Sequence, residues 1–180
     1  MLYLGFRQLG TCIRNTRHLE NMTDVPNHFY VTLFSNSSQK LFPDNTINAF
    51  TSELAQVIDL GPDDRREVGL CEFSCPPKSI GTLKPNTVVG GTNVIFYCNV
   101  IKPQFFVDNL IRCLRKVIVP SLHCDCAIDH IYYLPVEQTR IKHIRMELKD
   151  LLGNPVNTAL TRPSGNVPIK VVLHSRCVPT

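Results

Sequence analysis

From His28 to Pro77 the chain alternates apolar and polar side chains in short runs separated by turn-forming clusters. His28 to Phe34 alternates aromatic and β-branched residues, and Ser35 to Lys40 is a polar turn. Pro43-Asp44-Asn45 is a second turn, and Leu60 to Arg66 is a polar loop around Gly61-Pro62-Asp63. Glu67 to Phe73 alternates charged and apolar residues before Pro76-Pro77 stops it. Period-two alternation with this punctuation predicts short antiparallel strands rather than βαβ units. Between those runs, Phe50, Leu54 and Ile58 suit one face of a helix and equally the even positions of a strand. The residues alone leave Ile47 to Leu60 open between a strand and a short helix capped by Asp44 or Asn45.

The second half repeats the pattern. Lys78 to Asn86 is a loop, and Thr87 to Val100 is rich in β-branched and aromatic residues, with Gly90-Gly91 marking a bend or bulge. Phe105 to Val119 is ambiguous in period and is read as a turn at Asp108-Asn109 followed by a strand ending at Pro120. His130 to Val136 is strand-like. Along Ile141 to Leu148 one face is apolar (Ile144, Met146, Leu148) and the other is wet. Asp150 to Pro163 is a turn-rich connection containing Gly153-Asn154-Pro155, and Val167 to Arg176 is the last strand.

Seven or eight strands at this spacing predict an all-β protein with two sheets closed over one core. Thirteen prolines fit its loops; inside helices each would cost ~3 kcal/mol. A chain of 180 residues suits one domain, since two cores would leave each close to marginal stability. Residues 1–27 differ from the rest: they are basic and polar, lack sustained alternation and end at Pro26-Asn27. They are expected to form an N-terminal arm that is ordered only against a neighbour, leaving 28–180 as the folded domain.

Hydrophobic residues make up 43% of the chain and charged ones 19%. The charged share is below the usual figure of about 25%, which is consistent with part of the surface being reserved for partners. The net charge of +4 is spread without a dense run, so the chain lacks the basic stripe of a dedicated nucleic-acid binder. Met1 to Phe6 is too short an apolar core for a secretion signal, and no stretch of 18 apolar residues offers a membrane span. Most of the eight cysteines are therefore read as small buried hydrophobes in a reducing compartment.

Candidate chemistry is sparse. His123-Cys124-Asp125-Cys126 with His130 holds zinc-ligand types, but there is no paired C-x-x-C elsewhere, so a cysteine-rich loop or strand end is preferred. Cys71 and Cys75 are expected on one face of a strand as structural thiols. His174 and Cys177 lack a named third group to orient a base. The six histidines form no H-x-H pair of the cupin kind, no phosphate-binding loop is present, and Asp63-Asp64 beside Arg65-Arg66 is a solvated turn. No enzyme activity, cofactor or metal is expected.

Several of these runs carry a resemblance: Phe29-Tyr30-Val31-Thr32-Leu33, Asn36 within Ser35 to Ser38, Phe42-Pro43-Asp44-Asn45-Thr46, and Glu67-Val68-Gly69-Leu70-Cys71-Glu72. Further on come Tyr133-Leu134-Pro135-Val136, Ile144 to Leu148, Gly153-Asn154-Pro155-Val156, and Val171 to Arg176 around His174. In this order the chain resembles the minor capsid (penton) proteins of Polinton/Maverick elements and adintoviruses. It departs from their pattern at Arg66, at Cys75-Pro76 and at Ser175. The resemblance implies a single eight-stranded jelly roll with an extended N-terminal arm, and it favours a strand over a helix for Ile47 to Leu60. It further implies homopentamers at the fivefold vertices of an icosahedral DNA-virus capsid, with a double jelly-roll major capsid protein and other minor capsid proteins as partners. The virion is then its location, after synthesis in host cytoplasm or nucleus. Arg7, Arg14 and Arg17 are the expected arm contacts, to capsid or weakly to packaged DNA. The rival expectations are a jelly-roll binding module of lectin or receptor-ligand type, and a metal-dependent cupin-like enzyme.

Overall fold

A computed structural model of the chain describes residues 27–61, 65–75, 92–106, 108–119, 124–156 and 168–178. These residues form β1 (His28–Phe34), β2 (Ala49–Asp59), β3 (Arg66–Cys75), β4 (Thr92–Cys98), β5 (Gln104–Phe106), β6 (Asn109–Ile111), β7 (Cys113–Val119), β8 (Cys124–Ala127), β9 (Leu134–Pro135), β10 (Arg140–Lys149) and β11 (Lys170–Cys177). One sheet runs β1-β11-β3-β8, with β9 also on β3; the other runs β2-β10-β4-β7; β5 and β6 pair as a separate ribbon. Every pairing between strands is antiparallel.

The chain switches layer at each step from β1 to β4, and again from β7 to β8 and from β9 through β11. With β8 and β9 counted as one interrupted strand, each layer holds four principal strands, the two-layer Greek-key arrangement of a jelly roll. The ambiguous segment before Leu60 is a strand, because its even positions Phe50 and Ser52 are buried while Ala55, Gln56 and Val57 are exposed. Phe50, Leu54 and Ile58 would also have lined one face of a helix, but pairing of Ala49 to Glu53 with β10 holds the segment extended.

Three local readings are corrected. The region after Gln104 is a hairpin of two three-residue strands, with Phe106 opposite Asn109, so strand structure precedes the expected turn and resumes within it. His130 to Val136 is mostly not strand: residues 129–130 bend, and only Leu134 and Pro135 pair with β3. Cys71 and Cys75 do not share a face as expected. Across β3 and β11, Leu70 pairs with Leu173 and Glu72 with Val172, which leaves Cys71 as an extra residue in a bulge. The bulge moves the inward set from Val68 and Leu70 to Phe73 and Cys75.

The core lies between the two layers. Phe73 of one sheet meets Phe96 of the other edge to face, with ring centroids 4.8 Å apart, and both are fully buried. Leu33, Phe50, Met146 and Leu173 close around them. Burying such side chains contributes about 1.5–3 kcal/mol each, which makes inward alternation the main determinant of register. The arm expected at 1–27, with Arg7, Arg14 and Arg17, lies outside the described residues apart from Asn27, as do Gly90-Gly91, the 78–86 loop and Asp63-Asp64.

Candidate functional site

The outer face of the β1-β11-β3 sheet carries a cluster of aromatic and titratable groups. The antiparallel register sets Tyr30 opposite His174 and His28 opposite Arg176. The His174 ring stacks on Tyr30 at 4.6 Å and on His28 at 5.6 Å, nearly parallel to the latter. Its Nδ1 lies 2.6 Å from the Tyr133 hydroxyl. The Arg176 guanidinium sits 3.7 Å from the centre of the Tyr133 ring and donates to Glu67 Oε2 through Nε and Nη2 at 3.0 and 2.7 Å. Burial first, then the neighbouring His28 and Arg176, holds the His174 pKa below its ordinary value. Burial raises that of Tyr133.

Gly69 makes this packing possible. The segment carrying Ile131 and Tyr132 crosses directly over it. A Cβ on Gly69 would stand 2.3 Å from Ile131 Cγ2 and 2.5 Å from the Tyr132 carbonyl oxygen. Other resemblance residues also build local structure. Asn45 accepts from the Thr51 N–H and donates to its carbonyl, both at 2.8 Å, which shapes the turn into β2. The Thr46 hydroxyl donates to Asn48 Oδ1 at 2.7 Å. Asn36 lies in the turn after β1, and Pro43 is exposed in the next one. Phe29 lies under the Arg66 guanidinium at 5.3 Å. Glu72 pairs with Lys170. Pro135 sits in a two-residue edge strand, where a missing N–H is tolerated, and its carbonyl accepts from Lys102. Gly153, at φ +83°, closes a turn in which Asp150 Oδ1 accepts from the N–H groups of Leu152 and Asn154.

These contacts separate the residues that earlier chemistry would have joined. His174 engages Tyr133, whereas the Cys177 thiol points at the Val178 carbonyl 3.9 Å away, so the two are not a base and a nucleophile. Burial pushes the Cys98 thiol up to about 12 and raises those of Cys71 and Cys113, which favours the protonated form in all three. Cys126 packs against the core while His130 is exposed at the bend; His123 lies outside the described residues. Among the described residues no three His, Cys, Asp or Glu side chains stand where they could hold one ion. None of their helices is long and apolar enough to cross a membrane, which says nothing of strands. On the other sheet, Glu147 lies between Lys149 and Arg145, and hydrogen bonding to Lys149 holds its carboxyl below the usual range.

Sequence reasoning named His174 and missed its partners. Tyr30 and His28 are plain alternating strand residues in the sequence. They become a cluster only through the β1–β11 register and the crossing at Gly69, which a single sequence does not display.

The molecule is thus a single jelly-roll sandwich whose outer faces present contact groups. Its sequence matches no protein-family model and no curated protein. Its fold is similar to that of the mavirus penton protein, with a TM-score of 0.54 and 7% identity over 84% of this chain and 100% of that one. At that identity the likeness is one of fold.

Proposed function

We propose that the chain is a structural minor capsid protein of the Polinton/Maverick penton kind. In this reading it forms homopentamers at the fivefold vertices of an icosahedral double-jelly-roll capsid and resides in the virion. The observation that carries the proposal is the extent of the shared fold: the whole of a viral penton protein is covered by a fold that takes up 84% of this chain. The ordered sequence blocks from Phe29 to Arg176 point the same way independently.

A jelly roll is wedge-like, and identical wedges close a ring through heterologous contacts. Residues 28–180 are the brick, and residues 1–27 are an arm reaching to neighbouring capsomers, with Arg7, Arg14 and Arg17 contacting capsid or packaged DNA. The double jelly-roll major capsid protein surrounds each vertex, and other minor capsid proteins join it. The role requires no cofactor and no catalysis. Co-expression with a double jelly-roll shell protein tests the assignment. Closed shells with this chain at the fivefold positions in a cryo-EM reconstruction are expected. Shells that close with another protein at the vertices, excluding this one, would overturn it.

A further inference from the structure

Two sheets have four edges, and three of them here are blunted against adding another strand. On β2, residues Leu54 to Val57 stand opposite the single residue Lys142, a large bulge. On β7, Arg115 and Lys116 put charge on the edge and the register slips at Leu114. The third edge is broken into the four residues of β8 and the two of β9. Bulges, charges and short strands are the usual protections of a sheet edge. The fourth edge, β1, has none of these. Its seven residues pair with β11 in unbroken register, and it contains no Lys, Arg, Asp, Glu or Pro. Among the described residues no strand lies on its other side.

A second observation falls at the same seam. Phe29 and Val31 face the core from β1 yet are only half-buried, while Val171 and Leu173 on the adjoining strand are sealed. A small, mainly apolar cleft lies there between β1 and the bulged β2, lined by Phe29, Val31, Ile58, Leu60 and Ile141 with the buried Arg66. On the opposite face of β1, Tyr30 is 67% exposed and Phe34 39%. An added strand would therefore meet unpaired backbone, an apolar cleft on one side and an aromatic surface on the other. The segment that fits has apolar residues at alternate positions. The short apolar run at the start of the chain supplies Leu2, Leu4 and Phe6 at alternate positions, with Tyr3 and Gly5 between them.

We propose that the free edge of β1 accepts residues 1–8 of a second copy of this chain as an added strand, so that neighbouring subunits are linked by exchanged arms. This rests on the capsid reading, in which identical subunits stand side by side. The Asn27 carbonyl accepts from the Cys177 N–H, which carries the β1–β11 ladder one residue beyond β1. The twenty residues between Phe6 and Asn27 span up to about 65 Å when extended, enough to reach a neighbour.

The test uses the full chain with the photo-reactive residue benzoylphenylalanine at Thr32, an exposed position of β1. Irradiation is expected to give a covalent dimer whose cross-linked tryptic peptide is residues 1–7. Adding Leu4→Asp, which would bury a charge in the mainly apolar cleft, is expected to lower the dimer yield by roughly tenfold or more. Linkage within one chain, linkage to another segment, or no covalent dimer would overturn the arm exchange. Rings that form without this cross-link would overturn it and leave the capsid reading standing, whereas a protein that forms no ring would overturn both.

Discussion

At the residue scale the sharpest constraint is the absence of a side chain at Gly69. Backbone crosses it at a distance no Cβ tolerates, and backbone cannot rotate away as a flexible side chain can. Gly69→Ala is expected to lower the urea-unfolding free energy by about 1–3 kcal/mol or more. Gly61→Ala, with open space around it, should change it by less than about 0.5 kcal/mol. Equal effects of the two substitutions would refute the crossing. His174 supplies a pH dependence. Its pKa is lower in the folded chain than the ordinary 6.5, so the unfolded chain takes up the proton first. The stability associated with neutral His174 is complete above about pH 6.5 and lost as pH falls through the folded value. Melting temperature should therefore drop from pH 7.5 to 5.5, and His174→Phe should flatten that slope even if it lowers the starting value. An unchanged slope would mean that the cluster does not titrate with folding. The sequence offered Gly69 and His174 as motif positions, but neither reason for them was visible there. One depends on a segment more than sixty residues away folding back, the other on cross-strand register.

At the element scale, alternation made β1, β3 and β10 legible, because one face of each is mainly buried and the other is not, whereas the period of β2 suited a helix equally and only the resemblance favoured a strand. Alternation failed where the period itself breaks. The bulge at Cys71 switches which positions of β3 face inward, so Cys71 and Cys75, four apart, do not share a face. The ribbon of β5 and β6 was hidden because strands of three residues are too short to show a period. The strands are coupled at their ends by specific bonds. The Ile169 N–H donates to the hydroxyl of fully buried Ser35 at 3.0 Å, and the Ser35 N–H donates to the Ile169 carbonyl at 2.9 Å. Ser35→Ala would leave the first donor buried and unpaired, and should cost about 1–3 kcal/mol in chemical denaturation. Phe96→Ala, which removes the edge-to-face contact joining the layers, should cost about 3–5 kcal/mol by the same measurement. Little or no loss from Ser35→Ala would show that this bond does not couple the ends of β1 and β11, and little or no loss from Phe96→Ala would show that the two layers are held by other contacts.

At the scale of the whole molecule, strand count and turn spacing led to a two-layer β sandwich, and the order of strands within each layer makes it a jelly roll. That order was beyond the sequence, because it is set by which edges meet after collapse. No reacting center emerged from the clustering of the described side chains; exposed aromatics, paired charges and one unguarded edge did. Under the proposed capsid reading, ring formation is the property to measure. Native mass spectrometry of the purified full-length protein at micromolar concentration should show a dominant species of about five times the 20.3 kDa chain. A monomer at every concentration tested would contradict the account.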